Sequence, residues 1–530
     1  INQKIADTKE SELDLPFEVI GHNSKRQVLI WSNKRIISLP VNQLTENELR
    51  LLVGGSSAWI IQNDWNKKLK NRIIDEAHDK GFVNDEMTLK SGIWKMKDKW
   101  VIISGKRLAT FKNGVFTELD TPLIDGRLIE LDGPAWLDWD LLKSLFEDQD
   151  KGFRIFKETF NEIRKKVKFW NWSHDSMADF ITAFIMLSPL QHAMSWRPWV
   201  YLSGSKSTGK TTFFELMLQS NFGPLCERLD KSTAHATAQT IGNSGRIPIF
   251  DEFEKHKHIP DILETAKLFN RGGVKTSGTT GDKANKFELH HMGWFGSIYL
   301  PRRLIQDAAQ ESRMIKFELN KIKEGAPVPE TIGHKEAIKL ASKIAAGMIL
   351  SWEMIQSSAD EISTNRSELI KGQEGIEIRT VENFMYASSV IQLADPDPSF
   401  PIIPGWASRQ LEDDCDKILD TILSSLIKID YDSFSILEML HKAYKSLDDR
   451  FQKELERKGI KITSTSGAKY LAIRCEDVTR FILQDTEYKD LNIQHPLARI
   501  DGSIASYGVK MAGRTKRCVL IPIDRIDLEL

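Results

Sequence analysis

Residues 204–212 read Gly204-Ser-Lys-Ser-Thr-Gly209-Lys210-Thr211-Thr212, directly after the apolar run Trp199-Val-Tyr-Leu202. Glycines at the two ends of such a loop let the backbone wrap a phosphate chain with several N–H groups pointing inward. A helix starting behind the loop adds the partial positive charge of its N-terminus. Lys210 then reaches the β- and γ-phosphates of a triphosphate, and the Thr211 hydroxyl reaches Mg²⁺. Ser205, Lys206, Ser207, Thr208 and Thr212 supply the remaining groups of the cradle. A chance Gly/Ser/Thr loop ahead of a helix is the plain alternative. Strand, loop, Lys-Thr pair and helix are all in register here, so the spacing predicts binding of ATP with Mg²⁺.

About forty residues on, Arg246-Ile-Pro-Ile-Phe250 reads as a short strand ending in Asp251-Glu252. A carboxylate at that strand end can hold the metal's shell, and its neighbour can orient a water for in-line attack. Asp251 is therefore assigned to metal, with Thr211, and Glu252 to water activation. The glutamate favours a hydrolase over a small-molecule kinase. Gly293-Trp-Phe-Gly-Ser-Ile-Tyr-Leu300 reads as the next strand, with Ser297 placed to sense the γ-phosphate and Pro301-Arg302-Arg303 at its end. Glu311-Ser312-Arg313 follows. An arginine there lies too far from its own phosphates but could neutralise transition-state charge in a neighbouring subunit. Arg313 is the first choice for that role, Arg302 and Arg303 are alternates, and a surface ion pair is the plain reading of each.

The elements that must position these groups follow from pattern. Pro260 to Asn270 is a helix with Ile262, Leu263, Ala266 and Phe269 on one face, stopped by Arg271-Gly272-Gly273. Val274 to Leu289 reads as a long hairpin with Thr280-Gly281-Asp282-Lys283 near its centre. Lys275, Lys283 and Lys286 are spaced along it where a loop could present charge to a nucleic-acid backbone. An exposed hairpin with solvated lysines is the alternative. Upstream, a flexible lead-in (1–15) precedes a small α+β domain (16–130). There, strands at Val28 to Trp31 and Arg35 to Leu39 are followed by helices at Glu46 to Leu52 and Trp65 to Lys80. Strands resume at Lys99 to Ser104 and Leu108 to Phe111, and Lys112-Asn113-Gly114 is a hairpin turn. Trp31, Trp59, Trp65, Trp94 and Trp100 could stack bases or fill a core. A helical region (131–195) carries Lys157, Arg164, Lys165, Lys166 and Lys168, a solvated face or a phosphate-tracking one.

The loop and both candidate arginine segments fall within 196–320. A helical lid or linker (321–430) follows, with Trp406 to Ile429 helical. Residues 431–530 resemble a winged helix, with helices at 433–446 and 448–458 and a last strand at Cys518 to Pro522. Lys510, Arg514, Lys516 and Arg517 before that strand could contact phosphates.

At 530 residues the chain needs several cores. A net charge of −1 restricts nucleic-acid contact to local patches. Cys226, Cys415, Cys475 and Cys518 have no zinc-type spacing and read as reduced, buried or half-buried thiols. The apolar stretch Phe180 to Leu187 is too short for a membrane span, and a cytoplasmic location is expected. A chain beginning at Ile1 is expected to be processed or cut from something longer.

The order of parts across 196–320 resembles the superfamily 3 helicases of the AAA+ class, the ATPase parts of phage, viral and mobile-element replication proteins. The resemblance is carried by Trp196-Arg-Pro-Trp-Val-Tyr-Leu-Ser-Gly-Ser-Lys-Ser-Thr-Gly-Lys-Thr211, Pro248-Ile-Phe-Asp-Glu252, the Lys275–Lys286 hairpin and Ser312-Arg313. Ser91-Gly-Ile-Trp94, Ser104-Gly-Lys-Arg-Leu108 and Arg499-Ile-Asp-Gly502 to Pro522 are similar to stretches of phage primase-helicases. The resemblance implies an α/β fold: a P-loop AAA+-like ATPase core with an α+β N-terminal domain, helical regions and a C-terminal winged-helix-like domain. It further implies hexameric rings around DNA, nucleotide between subunits, Gly204, Gly209, Lys210 and Thr211 on nucleotide and metal, Asp251 and Glu252 in hydrolysis, and Arg313 as the finger. Where the superfamily typically has Asn on the sensor strand, this chain has Ser297. No primase carboxylate cluster is evident, so a primase module would lie upstream, and a primase or initiator is an expected partner. The leading expectation is an ATP-dependent DNA helicase or translocase acting on a single strand or fork. The alternatives are an ATP-regulated initiator or DNA-binding scaffold with weak turnover, and an ATPase switch that needs no DNA.

Overall fold

The computed structural model describes residues 14–54, 58–85, 88–131, 133–148, 150–277, 285–298, 308–322, 331–371, 376–397, 399–430, 432–445, 449–484, 486, 488–489 and 491–526. Its centre is a parallel sheet of β1 (Trp199–Ser203), β2 (Cys226–Arg228), β3 (Ile247–Phe250), β4 (Trp294–Ser297) and β5 (Met314–Glu318). The strand order is β2-β3-β4-β1-β5, with parallel pairing throughout. Every residue of β1 is buried, as both faces of a parallel sheet must be. Alternation divides the strand between two cores. Val200 and Leu202 enter the larger one, while Trp199 and Tyr201 pack with Phe250, Phe295 and the helices Ala234–Ile241 and Ile259–Arg271.

The order sets the site. β1 is interior, and β4 separates it from β3, so the loop after β1 and the acidic pair after β3 emerge at the same carboxyl edge. Open α/β sheets bind ligands at that edge. The helix after the loop begins at Lys210. It is α-helical over Lys210–Phe213, π-helical over Phe214–Gln219 and α-helical again over Ser220–Phe222. Lys210 and Thr211 therefore stand in its first turn.

The larger core is continuous from Ile93 to Trp406. It joins the central sheet to the helices Asp150–Val167, Met177–Leu187, His334–Leu350 and Ile378–Ala394. It also takes in one face of the antiparallel sheet Gly92–Met96, Lys99–Ser104, Arg107–Lys112 and Val115–Leu119. Asn113 (φ 50°) and Gly114 (φ 79°) turn that sheet's last hairpin, both positive as a two-residue type I′ turn requires. Trp59, Trp65, Trp94 and Trp100 are buried, so these four rings serve packing rather than base stacking, and Trp31 is half-buried.

The terminal region differs from the expected pattern. The helix from Trp406 stops at Ser424, and Leu426–Ile429 pairs antiparallel with Asp432–Ser435. Two helices, Ile436–Lys445 and Asp449–Arg457, lead into an antiparallel sheet of Ile460–Thr465, Ala468–Ile473, Arg514–Pro522 and Ile504–Met511, in that spatial order. These elements close over an apolar core of their own. All four cysteines are free thiols. Among the described residues no helix is long and apolar enough to cross a membrane.

Candidate nucleotide-hydrolysis site

The loop fits a phosphate cradle at its narrowest points. A Cβ on Gly204 would lie 2.5 Å from the Leu319 carbonyl oxygen and 2.8 Å from Thr208 Oγ1, so only glycine fits there. Gly209 has φ +83°, and its carbonyl accepts a 3.0 Å hydrogen bond from Trp170 Nε1. The Lys210 ammonium curls over the loop and donates to the carbonyl oxygens of Gly204 (2.5 Å) and Ser205 (3.1 Å) and to Thr208 Oγ1 (3.4 Å). Burial holds its pKa below the ordinary lysine value, opposed by the charges of Glu254, Asp251 and Glu252.

The second half of the site meets the first directly. The Thr211 hydroxyl donates to Asp251 Oδ2 at 2.7 Å. Asp251 is buried, accepts from Arg228 Nη2 at 3.0 Å, and has its own N–H tied to Asp230 Oδ1 at 2.8 Å. Arg228 Nε donates in turn to Asp230 Oδ2 at 3.1 Å. A hydroxyl and a carboxylate on one side of a phosphate loop are the hard oxygen donors that Mg²⁺ accepts alongside substrate phosphates and water. The residues present therefore fit Mg²⁺. Glu252 has φ 49° and an exposed carboxylate, which accepts from the Lys255 ammonium at 2.7 Å. That bond raises the Lys255 pKa.

Ser297 lies in the interior of the sheet. Strand alternation turns it to the same face as Phe295, where it is wholly buried and its hydroxyl hydrogen-bonds the Tyr201 hydroxyl.

Arg313 lies just before β5, and its carbonyl accepts from the Trp199 N–H at the amino edge of the sheet, opposite the loop. Its segment is held from two directions. Arg379 Nη1 donates to Ser312 Oγ at 2.7 Å and Asn383 Nδ2 to the Ser312 carbonyl at 3.1 Å, while Arg499 forms a 2.7 Å ion pair with buried Glu311. Arg302 and Arg303 lie outside the described residues.

The expected hairpin exists as Gly273–Ser277 paired with Asn285–Leu289. Lys275 is not a cation presented along it. Its ammonium donates inward to Thr265 Oγ1 at 2.7 Å and the Ala234 carbonyl at 3.0 Å, because the first strand runs against the helices on that face. Lys286 is exposed on the second strand, and Lys283 lies outside the described residues. Of the basic run near the C-terminus, Lys510, Arg514 and Arg517 are exposed, whereas the Lys516 ammonium is tied to Asp477 at 2.9 Å. Arg164 of the helical region's basic run is likewise committed, between Asp179 and Asp395. Reasoning from motifs missed Arg228, Asp230, Trp170 and Glu254. The available signals were an Arg-x-Asp at a strand end and a third acid two residues past Glu252.

No family model matches the chain, and no curated protein matches it. Among solved structures it resembles the active helicase Cch of SCCmec type IV, with a TM-score of 0.47 and 13% identity over 96% of this chain and 93% of that one. It resembles the A-form apo structure of the NrS-1 C-terminal region with a TM-score of 0.36 and 13% identity, over 98% of each chain. A full-length MCM homolog from Methanopyrus kandleri gives a TM-score of 0.33 and 11% identity, over 67% of this chain and 86% of that one.

Proposed function

We propose that this chain is an ATP-driven DNA helicase or translocase of the superfamily 3, AAA+ kind. It would act on a single strand or fork in the replication of a phage or mobile element, as a hexameric ring in the cytoplasm. The reading rests on the 2.7 Å contact between Thr211 and Asp251. Two segments about forty residues apart, expected from the sequence to share a metal, converge at the edge where the Lys210 loop opens. The loop N–H groups and Lys210 bind the phosphates of ATP, and Thr211 and Asp251 hold Mg²⁺. Bound there, Mg²⁺ neutralises charge on the β- and γ-oxygens. The motif gives Glu252 the attacking water. The amino-edge position of Arg313 supports a role in trans, since its own loop lies at the opposite edge of the sheet. Lys286 and Lys283 grip a strand by its phosphates without reading sequence. The hydroxyl of Ser297 has no assigned role in the reading.

ATP turnover with and without single-stranded DNA tests this. The parent is expected to be stimulated by DNA, and Lys210→Ala and Arg313→Ala to lose turnover. Lys283→Ala keeps basal turnover but loses stimulation. A parent indifferent to DNA would replace this reading with an ATPase switch. The exposed Lys510, Arg514 and Arg517 favour one further reading, an ATP-regulated initiator or scaffold with weak turnover. Unwinding of a forked duplex separates that from a helicase.

A further inference from the structure

The acidic run after β3 places three carboxylates near the phosphate loop, and they differ in surroundings. Asp251 is engaged by Thr211 and Arg228. Glu252 points to solvent and is paired with Lys255. Glu254 is half-buried and carried on the short helical turn Phe253–Lys255. Its carboxylate accepts from its own N–H and from the N–H of Ile298, the residue after β4. Its Oε2 is shielded from solvent and, among the described residues, has no hydrogen-bond partner. Of the three carboxylates acting on the Lys210 charge, Glu254 acts most strongly, ahead of Asp251 and Glu252.

These observations describe a desolvated carboxylate held by the Ile298 N–H at the end of β4, near enough to Lys210 to act on its charge. A buried acceptor without a donor is costly, and such groups in native proteins call for an explanation. A water molecule poised at the phosphate is one that chemistry supplies. Burial also pushes the Glu254 pKa upward, toward the range where a carboxylate works as a base near neutral pH.

We infer that Glu254 is the catalytic carboxylate that holds the attacking water, a role the motif would give to Glu252. The inference rests on the ATP-hydrolysis reading above. In the step, the water oxygen bonds to the γ-phosphorus, and the bond from that phosphorus to the β–γ bridging oxygen breaks. The leaving electron pair stays on ADP, and one water proton passes to the Glu254 carboxylate.

The test uses the full chain with Mg²⁺ and DNA, measuring phosphate release and binding of a fluorescent ATP analogue. Glu254→Gln is expected to lose roughly 100-fold or more in turnover, the usual scale for a general base, with analogue affinity within about threefold of the parent. Glu254→Asp, which keeps the charge, is expected to lose less. Glu252→Gln is expected to lose less than Glu254→Gln. Turnover of Glu254→Gln within about threefold of the parent overturns the inference, as does a larger loss in Glu252→Gln. Lys210→Ala run alongside separates the two claims. If it hydrolyses ATP like the parent, the site reading itself fails, whereas its loss beside an active Glu254→Gln sinks only the inference.

Discussion

Asp251 is held by three groups from two places in the chain: the Thr211 hydroxyl, the Arg228 guanidinium and, through its backbone, Asp230. Only the first was recognisable from spacing. The loop motif specifies residue types at fixed offsets because a phosphate chain has fixed dimensions, so a linear pattern captures it. Arg228 and Asp230 act from the end of a neighbouring strand, and Trp170 from a helix end beneath Gly209. The Arg-x-Asp at that strand end is a weak local signal for the first two, and nothing in its local sequence distinguishes Trp170 from a core aromatic residue. Thr211 offers a sharp test at this scale. Thr211→Val keeps the shape and removes the hydroxyl, while Thr211→Ser keeps the hydroxyl. Half-maximal turnover in Thr211→Val is expected to need about 10-fold more Mg²⁺, the scale on which metal-site partners act. Thr211→Ser should stay near the parent. Superimposable Mg²⁺ titrations for Val and Ser would argue against a metal role for this hydroxyl.

Elements were legible where a local period decides them. Trp65–Lys80 is a helix because Trp65, Leu69, Ile73 and Ala77 recur every fourth residue on the buried face, and Gly81 ends it. Leu426–Ile429 was not legible, since it extends the apolar series Ile418, Leu419 and Ile422, and only pairing with Asp432–Ser435 makes it a strand. The base of the hairpin shows what packing adds beyond pattern. His290 and His291 follow its second strand, and His192 stacks on Trp94 of the N-terminal sheet with ring centroids 3.9 Å apart. Burial, reinforced by Arg197 and by the histidines' own mutual repulsion, lowers His290 to about 4 and His291 to about 3, and keeps His192 well below its ordinary value. The folded state therefore excludes protons that the unfolded chain accepts near 6.5. Their contribution is complete above that value and is lost as pH falls towards the folded pKa values. At pH 5.5 the His290 share is about 1 kcal/mol. Urea unfolding at pH 7.5 and 5.5 should thus show the parent losing about that much more stability than His290→Gln. Parallel losses in the two proteins would remove His290 from the account.

At the scale of the molecule, two apolar cores are joined by one helix. Trp406 belongs to the core around the central sheet, while Cys415, Ile418, Leu419 and Ile422 of the same helix belong to the terminal core. A second tie crosses between them, from Arg499 in the terminal region to Glu311 two residues before Arg313. Arg379 and Asn383 of the helix Ile378–Ala394 hold Ser312 from another side. The segment that would serve a neighbouring subunit is thus fixed by the lid helix and the terminal region together. Glu311 is buried and Arg499 only partly exposed, so the pair is shielded from solvent and salt more than a surface bridge. A double-mutant cycle with Glu311→Gln, Arg499→Gln and both together measures the tie. The expected coupling energy is about 1–3 kcal/mol in urea unfolding, the range for contacting residues in one network. Each single variant is also expected to lower DNA-stimulated turnover while leaving nucleotide affinity unchanged, because the loop lies at the opposite edge of the sheet. Additivity within about 0.5 kcal/mol would show that Arg499 and Glu311 act separately, and the terminal region would then have no grip on the Arg313 segment through this pair.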